Sequence, residues 1–381
     1  MKVLVVMPLG EQRGGGELML WHLMQQEGDA AKTRARWLVV FLEDGPLVAS
    51  IRNLGIEVRV VPAGRLRQPT HFLRTAGRIA ALARRERVDA IFGWMSKAHL
   101  YGGVAARLAG VPALWYQLGA PEARWSGGSW MDQLAARLPA RGILTVSRAG
   151  ADGQACLRPA RPLRVVYPGA ELERFEPDAL PAPARARLQL GLPPDGPLIG
   201  IVGRLQRWKG MHVLIEAMPR VLAAHPKARA VIVGGEHAPE PDYPAYLERR
   251  ARELGVEGHV LLTGLQRNVP EWMQAMDVIV HASTFEPFGI VVIEAMALGK
   301  PVVAGAAGGP TEIITPGVNG LLTPYGDTEA LARALLRYLD EPEFAHRVGA
   351  RARERAQEFS TARYAQNFVD ALGDLLPEKV R

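Results

Sequence analysis

Gly200-Ile201-Val202-Gly203-Arg204-Leu205-Gln206-Arg207-Trp208-Lys209-Gly210 joins a buried β-branched run to a basic loop, and Lys209-Gly210 opens a helix. The same grammar runs along the whole chain. Strands are predicted at 3–7, 37–41, 58–61, 90–92, 112–116 and 143–146, with helices at 16–26, 45–54, 72–87 and near 99–108. The alternation restarts at 198–202 and continues with strands at 230–233, 260–262, 278–280 and 301–304. Helices at 210–225, 243–254 and 290–298 lie between these strands, and the chain is helical beyond Asp327. Short β-branched runs separated by helices of about ten residues mean β-α-β units and parallel sheets. Prolines 168, 177, 181, 183, 193, 194 and 197 punctuate the gap between the two series. The fold class is therefore α/β with two doubly wound domains, at 1–168 and 197–359, and a linker and entry at 169–196. Ligands are expected at strand carboxyl ends, in a cleft between the halves.

A chain of 381 residues exceeds one core, which fits this division. Apolar residues make up 48% and charged residues 22%, as in ordinary globular proteins. The single cysteine, Cys156, excludes an internal disulfide. Residues 1–8 lack the features of a signal peptide, and no apolar run approaches a membrane span, so a cytoplasmic location is expected. The net charge of +7 is uneven: residues 1–170 hold 23 Lys and Arg against 12 Asp and Glu, and the remainder 23 against 27. The excess peaks between Arg65 and Arg87, with Arg67, Arg74, Arg78, Arg84 and Arg85 between them. Such a face suits peripheral contact with an anionic membrane, or is a solvated surface. No aromatic interleaving points to nucleic acid.

Three segments carry candidate chemistry. Residues 283–299 read STFEPFGIVVIEAMALG, with Glu286 and Glu294 eight positions apart around a helix start. Pro287 suits a first turn, Gly289 permits close ligand approach, and the N–H groups near Phe288, Gly289 and Ile290 would meet an anion or a sugar hydroxyl. Glu294 stands in an apolar run where a lone carboxylate is costly, so it needs a partner. A ribose diol would serve, as would a salt bridge. In the opening stretch, Arg204 and Lys209 at a strand's carboxyl end suit a diphosphate and the charge of a departing nucleoside diphosphate. Gly14-Gly15-Gly16 after the first strand allows backbone approach to a substrate, or is simply a tight turn.

Together these segments resemble the retaining glycosyltransferases of family 4 (glycosyltransferase group 1), which have the GT-B fold of two facing Rossmann-like domains. Glu286 and Glu294 match the family's Glu-x7-Glu element, and Gly203, Arg204, Lys209 and Gly210 its G-R-x4-K-G element. Val233-Gly234-Gly235, Thr263-Gly264 and Gly308-Gly309-Pro310-Thr311-Glu312 fall where the family has nucleotide-facing loops. The resemblance implies a metal-independent hexosyltransferase with a nucleotide-diphosphate-sugar donor and no further cofactor. Asp-x-Asp is absent, in keeping with that. It implies that Glu286 holds donor-sugar hydroxyls, Glu294 the ribose, and Arg204 with Lys209 the diphosphate. Gly203, Gly235 and the backbone of Phe288, Gly289 and Ile290 would line the donor, and Gly15 and Gly16 would lie near its phosphate. The acceptor, a glycan, lipid-linked or small molecule, would bind the first domain, to which a terminal helix at 360–381 is expected to return.

One departure stands out. Where family members commonly carry a histidine after the fifth strand, this chain reads Trp115-Tyr116-Gln117-Leu118-Gly119. Gln117 or Leu118 takes that place on the acceptor side, with His99 a possible substitute. Two further readings are a nucleotide-sugar epimerase and a non-catalytic or weakly active nucleotide-sugar-binding protein.

Overall fold

The computed structural model describes residues 1–11, 14–28, 34–64, 66, 68–119, 128–154 and 157–376. The chain forms two units: Met1–Gly169 with Thr361–Arg381, and Ala170–Ser360. Cys156, Arg65 and Arg67 lie outside the described residues.

In the first unit the elements are β1 (Lys2–Met7), α1 (Gly15–Glu27), β2 (Arg36–Phe41), α2 (Pro46–Asn53), β3 (Glu57–Val60), α3 (Pro69–Arg85) and β4 (Ala90–Trp94). They continue with α4 (Met95–Ala109), β5 (Ala113–Gln117), α5 (Gly128–Arg137), β6 (Gly142–Thr145), α6 (Arg148–Gly153) and β7 (Leu163–Val165). The sheet runs β3-β2-β1-β4-β5-β6-β7, with every pairing parallel. Its inner strands are apolar on both faces because helices cover both, as parallel sheets require.

The second unit begins with α7 (Pro183–Gln189) and β8 (Leu198–Val202), then α8 (Met211–Ala224), β9 (Arg229–Val233), α9 (Tyr243–Glu253), β10 (Val260–Leu262) and α10 (Val269–Ala275). It goes on through β11 (Val278–His281), α11 (Ile290–Ala297), β12 (Val302–Gly305), α12 (Pro310–Ile313), β13 (Leu321–Thr323), α13 (Thr328–Asp340) and α14 (Pro342–Ala356). Its parallel sheet runs β10-β9-β8-β11-β12-β13. Both sheets thus reverse direction of winding beside their first strand, at β1/β4 and at β8/β11.

The alternating pattern located the inner strands within a residue or two. It missed α5, α6, β7, α10, α12 and β13, which are short or carry few apolar residues at helical spacing. The proline-rich stretch is not a bare linker. It carries 3-10 turns at Leu172–Phe175 and Pro177–Ala179, and then α7, with Pro177 and Pro183 in first-turn positions where a missing N–H costs nothing. Arg187 of α7 donates to the Ala275 carbonyl at 2.9 Å and to Asp277 at 2.7 Å, tying this stretch to the base of β11.

The last helix, α15 (Thr361–Leu375), lies in the first unit against α1. Phe368 is fully buried, with its ring 5.3 Å from Phe92, 5.5 Å from Tyr116 and 5.6 Å from Trp94. This aromatic cluster closes one face of the sheet. Among the described residues no helix is long and apolar enough to cross a membrane. Phe368→Ala should lower the stability of the first unit by about 3–5 kcal/mol, the usual cost of emptying a buried aromatic site. Denaturant unfolding followed by tryptophan fluorescence should show one transition moved and the other kept.

Candidate active site

At a winding reversal, the helices that follow two neighbouring strands leave to opposite sides, so the loops at the strands' carboxyl ends part and leave space. In the second unit these loops follow β8 and β11, and they carry the two segments singled out in the sequence. The loop after β8 passes Gly203 and Arg204 and makes a 3-10 turn at Arg207–Lys209. Gly210 then caps α8. This loop docks on the one after β11: the Thr284 N–H donates to the Trp208 carbonyl at 2.8 Å, and a Cβ on Gly210 would run into the Ala282 carbonyl. The loop after β11 is held from its other side by the turn before α12. The Gly309 N–H donates to the Glu286 carbonyl at 2.8 Å, and a Cβ on Gly308 would strike that same carbonyl. Gly289, at φ +108°, then turns the chain into α11.

These contacts bring Lys209 and Glu286 together. Lys209 Nζ lies 2.5 Å from Glu286 Oε2 and 4.1 Å from the centre of the Trp208 ring. His281, the last residue of β11 and 4% exposed, places Nε2 3.0 Å from the same Oε2. Ser283 Oγ lies 3.4 Å from that nitrogen. Burial pushes the Glu286 carboxyl up, but Lys209 and His281 more than offset it and hold the pKa at about 2. Glu286 is therefore ionised and accepts from both groups, which puts a proton on His281 Nε2.

The other donor-side candidates stand on these loops, on the loop after β9 and on α11. Arg204 is exposed, and among the described residues it makes no ion pair or hydrogen bond. Its charge depresses the pKa of His237 on the loop after β9, secondary to burial. Gly203 N donates to the Val233 carbonyl and Leu205 N to the Gly235 carbonyl, both at 2.9 Å, so the loops after β8 and β9 run side by side. Phe288 is buried against Phe359 at 5.6 Å, and Ile290 opens α11. Glu294 is partly enclosed, and no described residue hydrogen-bonds or pairs with its side chain. Burial pushes its pKa to about 7, with Arg174 pulling down and Glu171 pushing up. The partner demanded by the sequence is thus not supplied by the described protein.

In the first unit, Gly15 and Gly16 begin α1 at the β1/β4 reversal. The Gly16 carbonyl accepts from Trp94 Nε1 at 3.0 Å, and a Cβ on Gly16 would run into Met95 and Leu118. Met95 itself holds a left-handed φ of +70°, uncommon outside glycine. Leu118 keeps partial exposure. Gln117 is wholly buried, donating to Asp132 at 2.8 Å and to Ser96 at 3.3 Å, so its amide is engaged within the protein. His99 is also wholly buried, stacked on Trp115 at 5.1 Å, and burial lowers its pKa to about 3. Neither Gln117 nor His99 has surface to offer a substrate; both belong to the core around β4 and β5. Conversely, the sequence reading passed over His281 and Trp208. The signal for His281 was slight: one polar residue closing the apolar run 278–281, five positions before Glu286.

The model of the "Glycosyl transferases group 1" family matches residues 184–355, and that of "Glycosyltransferase Family 4" matches 31–174. The D-inositol 3-phosphate glycosyltransferase of Corynebacterium urealyticum is 36% identical over 225 residues, 57% of this chain and 53% of that protein. Its counterpart in Streptomyces griseus is 38% identical over 213 residues, 51% of this chain and 45% of that protein. The chain thus spans about half the length of the curated relatives it matches. The crystal structure of Anabaena Alr3699/HepE in complex with UDP superposes with a TM-score of 0.84 at 28% identity, covering 98% of this chain and 100% of that one. With both halves matched by family models and the paired parallel sheets of its structural neighbours, the chain belongs to the group 1 glycosyltransferases of GT-B fold.

Proposed function

We propose that this protein is a retaining, metal-independent hexosyltransferase that moves a sugar from a nucleotide-diphosphate-sugar to a glycan, lipid-linked or small-molecule acceptor. The observation that carries this reading is the meeting of Lys209 with Glu286 at the β8/β11 reversal, with Arg204 on the loop of Lys209 and Glu294 on α11, neither paired with any described residue. Two cations suit a diphosphate, and Glu294 suits the ribose diol. The anchored Glu286 suits the hydroxyls of the transferred sugar. Relatives support the donor class, since Anabaena Alr3699/HepE has been crystallised with UDP-glucose.

In the reaction, the bond from C1 of the sugar to the diphosphate oxygen breaks. An acceptor hydroxyl oxygen bonds to C1 from the same face, and the departing diphosphate takes its proton. Arg204 and Lys209 lower the barrier by stabilising charge that grows on the leaving oxygens, the role a metal ion plays elsewhere. The acceptor would be held by the first unit near Gly16 and Leu118, where no protein acid or base is required by this route.

Peripheral attachment to an anionic membrane at the cytoplasmic face is proposed through α3. Arg74, Arg78, Arg84 and Arg85 are exposed there and Arg87 just beyond it, with Leu73 59% exposed among them. Phosphatidylglycerol vesicles should sediment the protein at low salt and release it at high salt, and Arg74→Glu/Arg78→Glu should weaken capture. Equal capture by neutral vesicles would refute the attachment.

For the donor site, one series among UDP-, GDP- and ADP-sugars should raise the melting temperature. Arg204→Ala should weaken binding of the matching nucleoside diphosphate about 10–100-fold, the worth of hydrogen bonds to a charged group. The absence of any protection of folded protein would count against the reading. Glu294 adds a pH dependence. Its folded pKa of about 7 lies above the unfolded value, so the free protein loses stability as pH rises toward and through 7. The ionised carboxylate is the better ribose acceptor, so nucleotide affinity should rise over the same interval. Glu294→Gln should flatten both trends in melting and calorimetric titrations from pH 5 to 8.

A further inference from the structure

Both groups that anchor Glu286 reach the same oxygen. Lys209 and His281 lie on Oε2, at 2.5 and 3.0 Å, while no described residue hydrogen-bonds to Oε1. The two anchors differ in kind. Lys209 stands on a loop, is partly exposed, and is one of the two cations proposed to bind the diphosphate. A bound diphosphate offers its ammonium several anionic oxygens and so competes with Glu286 for it. His281 closes the inner strand β11, is 4% exposed, and among the described residues reaches only Glu286 and Ser283.

We propose that His281 is a positioning residue that holds Glu286 by Oε2 when the donor's diphosphate draws Lys209 away, keeping Oε1 aimed at a hydroxyl of the donor sugar. This rests on the reading of Glu286 as the sugar-binding carboxylate. It adds a division of labour that the shared element of two glutamates does not contain. Lys209 serves two anions in turn, and His281 serves one throughout. Ser283, 3.4 Å from His281 Nε2, limits rotation of the ring without substituting for it. A carboxylate deprived of both donors would turn or draw in water, and its hydrogen bond to the sugar would be lost while the diphosphate contacts persisted. The sugar's share of binding should therefore depend on His281, and the nucleotide's share should not.

The test compares His281→Met, which fills similar space without a donor, with His281→Gln, whose amide nitrogen can take the place of Nε2. Calorimetry would measure Kd for UDP-glucose and for UDP, or for the GDP pair if that series protects the wild type, with melting curves confirming the fold. His281→Met should bind UDP as wild type does, within about twofold, yet lose roughly tenfold or more in affinity for the sugar nucleotide, with His281→Gln recovering most of it. Equal behaviour of the two variants would reduce His281 to a packing residue and overturn the proposal. So would a matching loss of UDP affinity. Glu286→Ala separates the two levels of inference. If it keeps wild-type preference for the sugar nucleotide, the reading of Glu286 fails. If it loses that preference while His281→Met retains it, only the positioning role fails.

Discussion

The cation of Lys209 and the carboxylate of Glu286 are far apart in sequence and come within 2.5 Å because β8 and β11 are neighbours in the sheet. Their connections leave to opposite sides, and a backbone hydrogen bond from Thr284 to Trp208 locks the two loops together. Glycines at 210 and 308 remove the side chains that would hold the segments apart. Burial pushes the pKa of such a carboxyl up; here Lys209 and His281, converging on one oxygen, hold it at about 2. Removing either partner leaves a buried charge uncompensated, a heavier penalty than the pair's own contribution to stability. The site is therefore a charged, preorganised arrangement whose cost is carried by the packed sheet beneath it.

Much of this was legible in the sequence, for definite reasons. Inner strands of parallel sheets are covered on both faces and show as unbroken β-branched runs, so 3–7, 198–202 and 278–280 declared themselves. Glu286, Glu294, Arg204 and Lys209 were visible because charge and glycine interrupt those runs at their carboxyl ends. Other features depend on contacts that no local pattern encodes. His281 reads as part of an apolar strand, and only the fold shows its ring beside Glu286. Gln117 and His99 looked like substrate-side polar groups, yet one is engaged with Asp132 and the other stacked on Trp115. Edge elements such as β7 and β13, three residues each, carry too few side chains to display a period. The proline-rich segment misled because proline marks first turns as readily as linkers, and α7 begins with one.

The two units use the same winding reversal for different ends. In the second, charges gather there, and Lys209 pairs with Glu286. In the first, the corresponding place is occupied by Gly16, the left-handed Met95 and Leu118. Around them lie buried polar groups that hydrogen-bond to one another, Ser96, Gln117 and Asp132. Such an interior network fixes the shape of a sheet end without presenting reactive groups.

The position of α15 has a consequence for how the molecule is made. Its aromatic face belongs to the first sheet, but roughly 190 residues of the second unit are synthesised before it. At ordinary translation rates that interval lasts on the order of 10–40 s. Throughout it, Phe92, Trp94 and Tyr116 lack the ring of Phe368 that later covers them. The nascent first unit thus waits, incomplete and with apolar surface open to chaperones or to other chains, until α15 leaves the ribosome.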